Sequence, residues 1–159
     1  FRLSEDQILA ISTRGRYGVR ALLAIAKARH PLSTAKISQM EDISLPYLEQ
    51  IFNRLKRAGL VLAKRGAQGG FDLSRPPAQI SIGDVVNTLD GPVTFSHCHK
   101  PGQNEPCGRA EICPSRQFWS ELENTVNSKL FNTTLEDLTN IETGLIEKKR
   151  GTSSAANLF

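Results

Sequence analysis

Three cysteines, Cys98, Cys107 and Cys113, stand in one short stretch of a chain that has no others. Eight residues separate the first two and five separate the last two. Thiolates hold zinc and iron–sulfur clusters, and an odd number of cysteines does not make a disulfide framework. Three sulfurs leave a fourth ligand position, for which His97, His99, Glu105 and Glu111 are nearby donors in sequence. His97 and His99 flank Cys98 so closely that each is expected as a neighbour rather than a ligand. The spacing alone leaves open an iron–sulfur cluster, a zinc site without the usual CxxC knuckle, and three cysteines with structural or thiol–disulfide roles.

A second group of side chains suits a nucleic acid. Ser44 to Ala58 is expected to form a helix with Leu48, Ile51, Phe52 and Leu55 on one stripe. Tyr47, Glu49, Gln50, Asn53, Arg54 and Arg57 lie off that stripe. A helix fits the major groove of DNA, where a Glu can accept from cytosine and a Gln can pair with adenine. The first amides of the helix, at Ser44 to Pro46, can take a phosphate. Arg65 can enter a minor groove or hold phosphate. The charge distribution agrees: residues 1–75 hold 13 Lys and Arg against 6 Asp and Glu, whereas residues 76–159 hold 7 against 10. The alternative is an amphipathic helix with a solvated polar face and a hairpin that only packs. No Gly-rich phosphate loop, nucleophile elbow or metalloprotease helix is present, so the sequence does not point to an enzyme. Asp84 and Asp90 are expected to be surface carboxylates.

The elements that would position these groups follow from local signals. Thr13 is expected to cap a helix over 15–28, and Ser33 a short one over 35–40. Ser44 is the expected N-cap of the third helix, Pro46 fits its first turn and Gly59 ends it. Two β-like runs, 60–64 and 71–73, enclose Arg65-Gly-Ala-Gln-Gly-Gly, and glycines there permit a tight hairpin. Three helices followed by a hairpin is the order of a winged helix-turn-helix. Ser81 caps a helix over 82–89, and Gly91-Pro92 breaks it. Residues 91–112 lack any period, a length of structureless chain that is usually functional. Pro114 opens a longer helix with Phe118, Leu122, Val126, Leu130 and Phe131 on one side, a stripe that a partner subunit would cover. Thr133 with Glu136 makes a capping box for a last short helix. From Gly144 the tail is small and polar, and expected to be mobile. The absence of a long apolar run or a signal-peptide pattern leads to the expectation of a cytoplasmic protein with no membrane partner.

Several of these segments resemble one family. Ser12-Thr-Arg-Gly-Arg-Tyr-Gly-Val-Arg-Ala-Leu is similar to the opening of the Rrf2 family of bacterial transcription regulators. So are Ile43-Ser-Leu-Pro-Tyr-Leu-Glu-Gln-Ile-Phe-Asn-Arg-Leu-Lys-Arg-Ala-Gly-Leu-Val and the wing Arg65-Gly-Ala-Gln-Gly-Gly-Phe-Asp-Leu. The similarity continues through Ile82-Gly-Asp-Val-Val and the cysteines to Phe118-Trp-Ser-Glu-Leu and Thr134-Leu-Glu-Asp-Leu, covering about residues 11–140.

The resemblance implies a mainly α fold with a small β-hairpin: a winged helix-turn-helix plus a long C-terminal dimerisation helix. It divides the chain into an extension (1–11), a DNA-binding domain (12–90), a cysteine loop (91–113), dimerisation helices (114–143) and a flexible tail (144–159). It implies a homodimer on a double-stranded, palindrome-like operator. The implied DNA-contacting set is Arg16, Ser44, Pro46, Tyr47, Glu49, Gln50, Arg54, Arg65 and Gly69. Glu49 would discriminate between operators, and Arg65 would be the minor-groove arginine. It also implies a 2Fe–2S or 4Fe–4S cluster on Cys98, Cys107 and Cys113, sensing iron, redox state or nitric oxide. The sequence departs from the cluster-holding branch in three places. Pro46 replaces a polar serine, the first cysteine gap is longer, and Arg116 stands where that branch has a histidine ligand. Other branches recruit a carboxylate from the partner's first helix, at a position occupied here by Arg16.

Overall fold

The computed structural model describes residues 11–66, 69–95, 108–109 and 111–155, with side chains as far as Leu145. Among the described residues, six α-helices and a hairpin are ordered α1 (Thr13–Ala28), α2 (Thr34–Glu41), α3 (Leu45–Arg57), β1 (Val61–Lys64), β2 (Gly70–Leu73), α4 (Ile82–Asp90), α5 (Pro114–Phe131) and α6 (Leu135–Ala155), with a 3-10 turn at Pro77–Gln79. This is the helical, winged architecture expected from the sequence.

The core sits where the helix stripes meet. Leu22 and Ile25 of α1, Ile37 of α2, Phe52 and Leu55 of α3, and Val85 of α4 are all essentially inaccessible to solvent. The hairpin is antiparallel, with Val61 opposite Leu73 and Lys64 opposite Gly70. Phe71 ties it to the helices twice. Its ring stacks on Phe52, with centroids 4.6 Å apart. Its backbone exchanges two hydrogen bonds with Leu32, at 2.8 and 3.0 Å. Gly70 makes that bridge possible: its φ is +151°, and a Cβ there would collide with the Leu32 backbone.

Several local details differ from expectation, each because a distant group intervenes. Ser12, not Thr13, caps α1: its hydroxyl accepts from Gly15 N–H and donates to Asp90 Oδ1 at 2.6 Å. Ser12 N–H also donates to Asp90 Oδ2 at 2.9 Å, and Arg14 lies 3.5 Å from Asp90 Oδ1. Asp90 is therefore a half-buried clasp between the end of α4 and the start of α1, not a free surface carboxylate. Asp84 is likewise structural, forming a capping box with Ser81 and an ion pair with Arg75 at 3.1 Å. Removing the clasp strands the Ser12 donors, and unpaired buried donors cost about 1–3 kcal/mol. Asp90→Ala should lower stability by about that much in urea unfolding, whereas an unchanged midpoint would mean that the clasp holds nothing.

The last capping box is Thr134 with Asp137, one residue beyond the expected pair. Thr134 N–H and hydroxyl both donate to Asp137 Oδ2 at 2.8 Å, while the Thr133 hydroxyl turns back to donate to the Lys129 carbonyl. The bond from Thr134 N–H, then that from its hydroxyl, holds the Asp137 carboxyl below its ordinary pKa. Its contribution to stability is thus present above the ordinary carboxylate range and fades as pH falls. The shift in register follows from Leu135, which is completely buried and seats the start of α6 in the core. α6 is also longer than the short helix expected: it stays helical to Ala155, where a mobile tail was expected from Gly144.

Candidate nucleic-acid interface

α3 presents two faces of opposite character. Leu48, Ile51, Phe52 and Leu55 are fully buried and fix its inner side. Pro46, Glu49, Gln50, Asn53, Arg54 and Arg57 are all exposed on the outside. Tyr47 is half-buried, and its ring packs edge-on against Tyr17. Arg54, Lys56 and Arg57 occupy the last turn, where cations complement the negative end of the helix. The first turn has no acidic residue. Ser44 sits at the N-cap but makes no side-chain capping bond, contrary to expectation, and is exposed. The first N–H groups of α3 therefore have no side-chain acceptor from Ser44, an arrangement that attracts phosphate.

The hairpin stands beside this face because Phe52 and Phe71 stack. Arg65 follows the last residue of β1 and is exposed. Gly66 has φ +115°, and its carbonyl accepts from Gly69 N–H at 2.9 Å, which closes the turn tightly. A Cβ on Gly69 would lie 2.5 Å from the Lys64 carbonyl oxygen, so glycine is needed there for the turn itself. Ala67 and Gln68 lie outside the described residues.

Arg16 is exposed in the first turn of α1, where its guanidinium donates to Thr13 Oγ1 at 3.2 Å. Its chain neighbour Tyr17 meets Tyr47, so this end of α1 adjoins the start of α3. The structure thus gathers Ser44, Pro46, Tyr47, Glu49, Gln50 and Arg54 on one helix, Arg65 and Gly69 on the adjoining hairpin, and Arg16 at the neighbouring helix end. Sequence reasoning missed Tyr17 and Arg20. The guanidinium of Arg20 lies 5.3 Å from the Tyr17 ring centroid. The spacing of the two residues, three apart on a helix, was the available signal.

Of the cysteines, Cys113 is within the described residues. It occupies the N-cap of α5, makes no side-chain capping bond, is partly exposed and carries a free thiol. Cys98, Cys107, His97, His99 and Glu105 lie outside the described residues. Glu111 and Arg116 line a shallow groove with Cys113.

α5 has no buried residue along its whole length. Its expected apolar stripe divides in two. Phe131 packs on Gly83 of α4, and Leu130 packs against the core. Phe118 is 58% exposed, and Trp119 meets it edge-on. Among the described residues, no helix is long and apolar enough to cross a membrane.

Comparison with known proteins agrees with this geometry. Residues 11–141 match the Rrf2 family, described as iron-dependent transcriptional regulators. The HTH-type transcriptional regulator IscR of Erwinia tasmaniensis is 34% identical over 148 residues, covering 92% of this chain and 88% of that protein. Among solved structures, CymR, the global cysteine regulator of B. subtilis, is 36% identical with a TM-score of 0.69, over 84% of this chain and 98% of that one. IscR of T. potens is 31% identical with a TM-score of 0.67, over 84% of this chain and 88% of that one.

Proposed function

This chain belongs to the Rrf2 family of transcriptional regulators, and from that premise we propose that it is a homodimeric, cytoplasmic, operator-binding sensor carrying an iron–sulfur cluster on Cys98, Cys107 and Cys113. As a transcriptional regulator it is not an enzyme. The observation that carries the DNA-binding part is the outer face of α3. Glu49, Gln50 and Arg54 stand exposed on a helix whose other side is locked into the core, next to a hairpin bearing Arg65. In this reading Glu49 and Gln50 contact base edges, the backbone N–H groups of Ser44 and Leu45 and the Arg16 and Arg54 side chains hold phosphates, and Arg65 enters the minor groove, while Pro46 contributes no N–H. Tyr47 fixes the first turn, and Gly69 lets the wing approach the backbone. Pro46 offers no hydroxyl, so this operator preference differs from that of relatives with serine there.

The division of labour follows the chain. Residues 12–90 bind DNA, 91–113 hold the cluster, and α5 pairs the subunits through Phe118, Trp119, Leu122 and Val126. A charge at the centre of that face tests the pairing. Val126→Glu should yield a monomer in sedimentation velocity and weaken operator binding, because two half-sites are no longer held by one molecule. A dimer that persists in Val126→Glu would exclude this face.

The cysteine donors fit a cluster. Cys113 has a free, partly exposed thiol, and three thiolates are the chemistry that iron–sulfur clusters take. When bound, the cluster supplies a group that iron scarcity, oxidation or nitric oxide can remove or modify. Arg116 cannot ligate iron, so the fourth position falls to another donor such as Glu111, His97, His99, Glu105, a partner residue or a small molecule. The alternative is a zinc site or a thiol–disulfide switch on the same residues. Purification without oxygen, with a visible spectrum and assays of iron and acid-labile sulfide, separates these readings. A brown protein containing both, and losing them in Cys107→Ala, is expected. A colourless protein without sulfide would assign the cysteines to zinc or thiol redox chemistry and leave the DNA-binding reading intact.

A further inference from the structure

The aim of α3 depends on the turn that delivers it. Only Asp42, Ile43 and Ser44 separate α2 from α3, and Asp42 stands in the left-handed region at φ +51°. Arg20, on α1, grips this turn at its first point. Its Nε donates to Glu41 Oε2 at 3.0 Å, and its Nη2 donates to the Glu41 backbone carbonyl. That carbonyl belongs to the last turn of α2, which leaves its acceptors without intrahelical partners. The same guanidinium lies over the Tyr17 ring, and that ring meets Tyr47 in the first turn of α3, with centroids 6.1 Å apart. One side chain on α1 therefore holds the end of α2 directly and the start of α3 through a single aromatic ring.

We infer that Arg20 is a positioning residue that sets the angle of α3 on DNA and thereby its sequence discrimination. This rests on the proposal that α3 reads base edges. Leu48, Ile51, Phe52 and Leu55 anchor the inner side of α3, but they leave the tilt of its first turn to be fixed by contacts at that end. Hydrogen bonds to base edges need donor–acceptor distances within a few tenths of an ångström, about 2.7–3.2 Å. Contacts from long Lys and Arg side chains to phosphates tolerate more displacement. Losing the grip should therefore weaken specific binding while sparing non-specific binding. A planar fork that meets two acceptors is a role lysine cannot fill completely.

The test uses the full chain and a duplex that the unaltered protein enriches from a random-sequence pool, compared with a scrambled duplex of equal length. Affinity for both is measured over a salt series. Arg20→Ala should lose on the order of 10-fold to 100-fold on the enriched duplex, the range of one good base contact. Its affinity for the scrambled duplex should change by less than about 3-fold and its salt slope should be unchanged, because no phosphate contact is lost. Arg20→Lys should restore part of the discrimination. Arg29→Ala, which removes the same charge from the far end of α1, should retain it. If Arg20→Ala melts below the assay temperature, Arg20→Lys and Glu41→Gln carry the comparison, each with a smaller loss confined to the enriched duplex. Equal losses on both duplexes with a salt slope reduced by about one would make Arg20 a phosphate contact and overturn the inference. So would discrimination that matches the unaltered protein in every Arg20 and Glu41 variant. If the unaltered protein enriches no sequence, the base-reading premise itself fails, visibly and before any variant is made.

Discussion

Phe52→Ala should destabilise the DNA-binding unit by about 3–5 kcal/mol, a large fraction of the roughly 5–15 kcal/mol that holds a domain folded. Phe52 is the largest fully buried side chain among the described residues and stacks on Phe71 of the hairpin. Its removal takes away transfer free energy and leaves a cavity that the surrounding helices can close only in part. It also detaches the wing from α3, because Phe71 is the residue through which β2 meets both α3 and Leu32. Asn53→Ala, one residue on and fully on the outer face, should stay within about 0.5 kcal/mol of the unaltered protein. Chemical unfolding followed by circular dichroism reads both. A Phe52→Ala midpoint close to that of Asn53→Ala would mean that the stack is not what joins wing to helix.

The second large effect is on recognition. Glu49→Ala and Gln50→Ala should each weaken binding to the enriched operator by on the order of 10-fold to 100-fold, with little change on a scrambled duplex. Both side chains are exposed, so stability should be unaffected. Arg65→Ala should behave differently. A cation in or beside a groove acts on any sequence, so both affinities should fall and the salt slope should shrink by about one. Titration of the three variants against both duplexes separates base reading from electrostatic attraction. Equal losses on both duplexes for Gln50→Ala would remove it from the base-reading set.

Much of this architecture was legible in the residues. The apolar spacing of Leu48, Ile51, Phe52 and Leu55 located α3 and its outer face, and Pro114 marked the start of α5 to the residue. Both depend only on period and local turn chemistry. What escaped depends on groups far apart in the chain. Ser12 rather than Thr13 caps α1 because Asp90, 78 residues away, accepts from it. Thr133-x-x-Glu136 and Thr134-x-x-Asp137 are equally good capping signals locally, and the burial of Leu135 decides between them. Phe118 to Phe131 looks like one apolar stripe in sequence, yet Phe131 is claimed by Gly83 on α4. The grip of Arg20 on Glu41 was invisible because no local pattern connects the middle of one helix to the end of the next.

The clasp and the loop also bear on signalling. Asp90 ends α4 and holds the start of α1, and the chain enters the cysteine segment at the next residue. Just beyond, Phe95 N–H donates to Glu123 at 3.2 Å, and Asn127 donates to the Val93 carbonyl at 3.2 Å, both on α5. The segment carrying the cysteines is thus moored at one end to the DNA-binding helices and, through Val93 and Phe95, to the helix proposed to pair subunits. In the proposed dimer, these two moorings are the contacts through which a change at the cysteines would reach the recognition helices.

The most direct test of a cluster-sensing regulator is the affinity of cluster-loaded and cluster-free protein for the enriched operator, measured without oxygen at one fixed salt concentration. A cluster that reports to the operator should make the two affinities differ by on the order of 10-fold or more, the size of an ordinary allosteric coupling. Equal affinities would contradict it, leaving a DNA-binding protein whose cysteines do not report to its operator.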